Sequence, residues 1–301
     1  MNDAGQSAQP STNWKLTLAY DGTGFHGWQV QPGKRTVQGE LQAALGRVTG
    51  QAPLPQGSGR TDAGVHALAQ VASFSLSVPI PAGNLSMALN RTLPPSIRVL
   101  EARTVRSTFH ARHSALAKTY EYRVFLEKPW PWLDMRAPGR ICPPFLAPYI
   151  YVYPWPVEFS ALNEAARAFV GEQDFSSFAA SEPDLAARCL DADSGDDLRP
   201  LPHPGFRTAP PAIPTMRTIF SSQWEVGECQ AGPTYIYRVR GSGFLHHMVR
   251  NLVGTMLDVG RGQLRAIQIP AILNARNRAA AGPTAPAQGL FLHSVEYGGA
   301  E

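Results

Sequence analysis

Apolar and polar positions recur with regular spacing over most of the chain, and the changes of period lay out the elements in order. Apolar residues take every second position over 14–20, with Leu16 and Leu18 on one face, which predicts a strand. A turn-rich segment, 21–29, follows. Thr36 is placed to cap a helix whose stripe is Val37, Leu41, Leu45 and Val48 and whose end is Gly50. Alternation returns over 70–76, with Ala72, Phe74 and Leu76 on one side, and a helix over 85–92 must stop at Pro94-Pro95. Strands are predicted over 97–105 and 118–126; in the second, Tyr120, Tyr122, Val124 and Leu126 share a face. Proline and aromatic residues crowd 129–156, which predicts irregular structure. Ser160 is placed to cap a helix carrying Leu162, Ala165, Ala166 and Phe169. Apolar periodicity is then lost over 181–214, where Pro, Asp, Arg and Gly dominate, and this stretch reads as a mobile loop or insertion. Two strands over 216–226 and 234–240 around a turn at 227–232, helices over 246–258 and 266–276, and a closing strand over 290–297 complete the pattern.

Strands and helices are mixed without the strict alternation of a doubly wound parallel fold, so the pattern predicts an α+β architecture with mixed α/β domains. Residues 1–12 read as a disordered tail. The organisation expected is an N-terminal domain over 13–108 and a C-terminal domain over 109–301, with 181–214 as an irregular insertion.

Composition changes this picture little. The chain has 301 residues, 44% of them hydrophobic, enough to bury a substantial core. No run of eighteen apolar residues occurs, which argues against a membrane span. The polar N-terminus lacks the basic-then-apolar layout of a signal peptide, so a cytoplasmic location is expected. The net charge is +4 and the pI near 9.1, which permits a polyanionic partner without requiring one. Of the 27 basic residues four are lysines and 23 are arginines; arginine suits phosphate forks and base stacking, although the abundance of Ala and Pro suits a biased genome as well. Three cysteines, Cys142, Cys189 and Cys229, match no zinc or redox spacing and read as free thiols. The histidines lack metal spacing too. His246 and His247 are adjacent rather than one helical turn apart, so no metal site is expected.

The candidate chemistry centres on Gly57-Ser58-Gly59-Arg60-Thr61-Asp62-Ala63-Gly64-Val65-His66-Ala67. Three glycines permit a tight, exposed loop, and Asp62 stands on it as a lone carboxylate beside Arg60, whose charge favours the ionised form. Such an Asp is a candidate nucleophile; the plainer reading is a surface turn whose Asp satisfies local amides. The loop is no P-loop, because Arg60-Thr61 stands where Lys-Ser/Thr belongs. Nor is there an obvious second carboxyl for glycoside hydrolysis. Gly22-Thr23-Gly24-Phe25-His26-Gly27 matches the dinucleotide fingerprint by letter, but Pro32-Gly33 interrupts where a helix must open and no acid follows at ribose distance. No nucleotide cofactor is expected. Tyr120, flanked by Lys118 and Arg123, reads either as a platform for an unstacked base or as a core tyrosine. Phe109, His110, Arg112 and His113 form a basic connector able to touch RNA phosphates or to serve as a solvated link. Arg250, among apolar neighbours, needs an anion if buried, and Asp62 is a candidate; on the polar side of its helix it needs none.

Taken together these stretches resemble the TruA-type tRNA pseudouridine synthases. The resemblance runs from about Trp14 to Tyr297 and rests on Tyr20-Asp21-Gly22 through Phe25 to Gly27-Trp28-Gln29; Gly59 to His66; Phe109-His110-Ala111-Arg112; Tyr120 with Tyr122; Phe175-Ser176-Ser177-Phe178; Phe244 to Asn251; and Thr284-Ala285-Pro286 with Gly289-Leu290. It implies two α/β domains of pseudouridine-synthase type with largely antiparallel sheets flanking a basic cleft, working as a homodimer. It implies a cofactor-free isomerase that converts uridine to pseudouridine in the anticodon stem-loop of tRNA, at nucleotide positions 38, 39 and 40. Asp62 matches the catalytic aspartate, Tyr120 the substrate-contacting tyrosine, Arg60 the arginine that helps displace the base, and Arg250 the one paired with the catalytic carboxylate; Phe109, His110 and Arg112 match an RNA-contacting stretch. The stretch 181–214 is longer than the family's usual connection. A non-catalytic tRNA-binding or folding factor on the same scaffold is the alternative.

Overall fold

Period-two burial makes the first strand. In β1 (Thr12–Tyr20) Trp14, Leu16, Leu18 and Tyr20 all turn inward. The structure, a computed structural model, describes residues 11–128, 138–180, 215–229 and 231–299. The expected insertion at 181–214 and positions 1–10 of the expected tail lie outside the described residues; Thr12 already belongs to β1. The Thr36 hydroxyl accepts from the Gly39 amide at 3.3 Å and opens α1 (Val37–Thr49), which Gly50 ends at φ 73°. There follow β2 (Gln56–Gly57), β3 (His66–Leu76), α2 (Ala82–Thr92) and β4 (Ile97–Val105). The second half adds β5 (Ala115–Leu126), β6 (Tyr151–Tyr153), α3 (Phe159–Arg167), β7 (Gly171–Asp174), β8 (Met216–Cys229), β9 (Gly232–Gly241), α4 (Met248–Gly260), α5 (Ile269–Ala275) and β10 (Leu290–Tyr297).

The ten strands form one sheet with the order β4-β1-β3-β10-β5-β9-β8-β7, β2 pairing with β3 and β6 with β5. Every pairing is antiparallel except β10 with β3 and β6 with β5. The antiparallel sheet expected in each half is therefore one continuous sheet. The last strand of the chain is the bridge: Phe291 and Leu292 of β10 lie beside His66 and Ala67 of β3, and its other edge runs along β5. One hydrophobic core extends from Trp14 and Leu41 to Leu252 and Leu292, with α1 packed on α2 and α3 on both α4 and β8. No helix among the described residues is long and apolar enough to cross a membrane.

Four local expectations need correction. The cap of α3 is Glu158, two residues earlier than Ser160, because its carboxylate reaches the Ser160 and Ala161 amides at 3.2 and 3.1 Å. The helix expected from His246 starts at Met248, since His247 takes a left-handed backbone at φ 61°. The helix expected over 266–276 splits into a short 3-10 turn, Ala266–Gln268, and α5, whose first turn holds Pro270. Within 129–156, β6 adds three ordered residues to the sheet.

The connector around residue 109 is also less solvated than a linker would be. Ala111 is fully buried and Phe109 nearly so, covering Val71 on a separate patch of core. The Asn13 amide donates to the carbonyls of Arg106 and Phe109, the Ala111 amide donates to the Ser73 hydroxyl, and the Tyr297 hydroxyl donates to the Ala111 carbonyl. The Lys15 ammonium lies over the Tyr297 and Phe109 rings, and burial pulls its pKa down to about 8.

Candidate active site

The Asp62 loop connects β2 to β3 and is held from below at nearly every residue. The Ser58 amide donates to the Val71 carbonyl at 2.7 Å, and the Ser58 hydroxyl donates to Gln70 Oε1 at 2.6 Å. The Gln70 side-chain amide in turn donates to the Gly59 carbonyl. Thr61 is buried, its hydroxyl 2.8 Å from that of Tyr20 and its carbonyl accepting from the Trp28 amide at 3.0 Å. The Val65 amide returns to the Asp62 carbonyl at 3.1 Å across Gly64, which takes φ 78°. Asp62 thus stands first in a four-residue turn whose third position requires a left-handed backbone.

The glycines of 22–27 explain themselves against this loop. A Cβ on Gly22 would lie 2.0 Å from the Val65 carbonyl oxygen, and one on Gly27 would lie 2.4 Å from that of Thr61. The Gly22 amide donates to His66 Nδ1 at 3.0 Å. His66 therefore carries its proton on Nε2, which faces the Pro148 carbonyl at 3.2 Å. Burial pushes the His66 pKa down despite Asp21 at 3.3 Å, consistent with a neutral ring that joins three segments. His66 plays a positioning part that its place in the motif did not reveal.

Three side chains from the other half of the chain converge on Asp62. His246 Nε2 lies 3.0 Å from Oδ1, His247 Nε2 3.5 Å from Oδ2, and Arg250 Nη1 3.3 Å from Oδ2. The left-handed turn at His247 and the Ala180 amide donated to the His246 carbonyl set the two rings side by side, centroids 3.9 Å apart. Arg250 sits in the first turn of α4 and is braced at Nε by the Ala285 carbonyl at 2.7 Å. The segment carrying Ala285 can approach because Gly254 has no side chain: a Cβ there would lie 1.7 Å from the Pro283 carbonyl oxygen.

These groups set the state of the acid. Burial alone would raise the Asp62 pKa. The His246 hydrogen bond and the charges of His246, His247 and Arg250 outweigh it and bring the pKa down to about 2. Asp62 is an ionised carboxylate, 18% exposed, with partners arranged around both oxygens. Arg250 is the partner that the resemblance implied, and His246 and His247 join it in lowering the Asp62 pKa; Arg60, on the same loop, is exposed. The two histidines were missed because adjacency is no metal or catalytic spacing, and the left-handed turn at His247 that aims them carries no local signal in the sequence.

Tyr120 lies within the electrostatic reach of Asp62, its hydroxyl pKa raised well above the usual value by burial first and by Tyr20 and Asp62 after it. It is 8% exposed, and its ring meets that of Phe244 edge-on at 5.1 Å. Tyr122, one alternation further along β5, donates its hydroxyl to the Pro286 carbonyl at 2.7 Å and closes the floor. Asp62, Tyr120 and Arg250 are therefore brought together, with Arg60 on the same loop. Of the 109–112 stretch, Arg112 is exposed and His110 half-buried, and Phe109 is packed into the core.

Such a site can hold an ionised carboxylate ready to engage an electrophilic carbon or a proton, next to an aromatic ring. The chain matches the family model described as tRNA pseudouridine synthase over residues 17–114 and 205–298. It is 46% identical over 283 residues to a tRNA pseudouridine synthase A of Solibacter usitatus, covering 94% of this chain and 98% of that protein. It is 40% identical to proteins of the same name from Anoxybacillus flavithermus and Moorella thermoacetica, again covering 94% of this chain and 98% of each relative.

Proposed function

The chain belongs to the tRNA pseudouridine synthase family, isomerases that form pseudouridine in tRNA, and on that footing we propose that it acts on uridines of the anticodon stem-loop with Asp62 as its single catalytic carboxylate. The reaction breaks the bond between uracil N1 and the ribose C1′ and joins C5 to the same carbon. The C5 proton is lost and N1 gains one, so the change is redox-neutral and asks for no electron carrier. The observation that carries the reading is Asp62 itself: a carboxylate held ionised by two imidazoles and a guanidinium, on a loop fixed through Ser58, Thr61 and Val65.

The target base must leave its stack before the acid can reach it, at a cost of roughly a few kcal/mol. Tyr120 and Phe244 offer an aromatic wall for the extruded base, and Arg60 extends from the loop where a displaced base would pass. Arg112 and His110 fit contacts to the phosphate backbone. The reading includes a homodimer in the cytoplasm, two domains meeting near residue 108, and a basic cleft between them.

Release of tritium from tRNA labelled at uridine C5 tests it. Wild-type protein should release label, and Asp62→Asn should lower the rate by about 10³-fold or more. No release from wild type would overturn the reaction. Undiminished release from Asp62→Asn would overturn only the part given to that residue.

A further inference from the structure

Beside the Asp62 loop a rim of cations lies outside the contacts described so far. Lys118 of β5 lies across from Gly241 of β9, which lies across from Ile219 of β8, and Arg217 stands two residues before Ile219. The Lys118 ammonium donates to the Ser58 carbonyl and lies 3.2 Å from the point a Cβ on Gly59 would occupy. The Tyr120 hydroxyl is 4.0 Å from that same point. Arg217 Nε is 3.7 Å from the corresponding point on Gly243, and Gly243 precedes Phe244, whose ring meets Tyr120. Lys118, Gly59, Tyr120, Phe244, Gly243 and Arg217 thus form one contiguous edge, and its two glycines add no side chain between the cations and the aromatic rings.

We infer that Lys118, Arg217 and Arg112 bind a phosphodiester, the backbone phosphate of the nucleotide whose base is taken to Tyr120 and Asp62. The inference rests on the RNA substrate proposed above. Lys118 has three ammonium protons, one committed to the Ser58 carbonyl, and an anion seated here would meet the others. The groups that shift Lys118 are burial first and then Arg112 and Arg217, all of which disfavour its charge, and they bring its pKa down to about 8. Arg217 is depressed in the same sense by burial and by Arg112. Like charges gathered beside a half-buried lysine favour a bound anion between them. The same ammonium ties the anion to the catalytic loop, so filling the site presses Ser58 and Gly59 into the position that presents Asp62.

Because the lysine loses its proton above about pH 8 in the free protein, kcat/KM should fall on the alkaline side with an apparent pKa there. The neighbouring Tyr120 hydroxyl ionises far higher, and an arginine such as Arg217 keeps its charge through this range.

The test uses the full chain and an anticodon stem-loop RNA, either unmodified or carrying one neutral methylphosphonate at the target uridine. Lys118→Met should raise KM about tenfold and abolish the alkaline fall near pH 8; Lys118→Arg should restore KM and still lack that fall. The methylphosphonate should weaken binding of wild-type protein about tenfold and of Lys118→Met by only about threefold, because one of the three cations that meet the phosphate is already gone. Filter binding of the same RNAs needs no turnover, so it keeps this result separate from failure of the isomerase reading. Equal loss in both proteins, or an unchanged KM for a Lys118→Met protein that melts like wild type, would overturn the phosphate site.

Discussion

At the scale of the residue, Asp62 is governed by competition between desolvation and its cationic neighbours. Its pKa of about 2 lies below the ordinary value of 3.8, so its ionisation stabilises the fold above pH 4. That contribution, about 2 kcal/mol, disappears as the pH falls from 4 to 2. Two outcomes are expected. A loss of activity between pH 5 and 7 will not belong to Asp62, and pH–rate profiles of wild-type protein check this through the apparent pKa of the acid limb. Arg250→Met removes a cation 3.3 Å from the carboxylate. It should raise the Asp62 pKa, move the acid limb of kcat upward, and cost about 10- to 100-fold in rate, matching the worth of one charge-assisted hydrogen bond. An unmoved limb and undiminished rate would count against the pair.

At the scale of the element, the same substitution has different consequences in two places. Gly22 and Gly50 both end regular structure, one after β1 and one after α1. A Cβ on Gly22 would strike the Val65 carbonyl at 2.0 Å, whereas one on Gly50 meets nothing within 4 Å. Gly50→Ala should therefore cost about 1–2 kcal/mol for its left-handed backbone and leave kcat/KM unchanged. Gly22→Ala should destabilise by about 1–3 kcal/mol through overpacking and depress kcat by at least about tenfold, because the displaced carbonyl belongs to the turn that carries Asp62. Urea melts and steady-state rates on the two variants separate the effects. Glycine spacing in 22–27 matches a phosphate cradle by letter only, as its context in the sequence already indicated, and its service is close approach of one loop to another.

At the scale of the whole molecule, β10 makes the two halves one object. Leu292 is fully buried at the junction, beside Ala67 of β3 and Tyr120 of β5. Leu292→Ala should cost about 2–5 kcal/mol. Unfolding followed by tryptophan fluorescence, with Trp14 and Trp28 in one half and Trp224 in the other, and by far-ultraviolet circular dichroism should give a single coincident transition. Two separated transitions would show that the halves keep independent stability despite the shared sheet. The charge of the whole also matters: RNA affinity should fall steeply with salt, and Arg112→Ala should reduce the log–log slope by about one contact.

Sequence by itself determined most of the longer elements and singled out the candidate acid. β4, α1 and β10 follow from periodicity, caps and proline, because burial on one face imposes a fixed spacing of apolar side chains and a helix end needs a polar cap or a left-handed residue. The loop carrying Asp62 was legible because its glycines, arginine and acid lie within eleven consecutive residues. Arg250 was already named as a partner of that acid, but only the tertiary structure decided that His246 and His247 join it. His246, His247 and Arg250 stand some 185 positions away in sequence and approach only because β10 joins the halves and Gly254 lets the Ala285 segment lie on α4. A pKa is a sum over neighbours in space, and no spacing along a chain contains it.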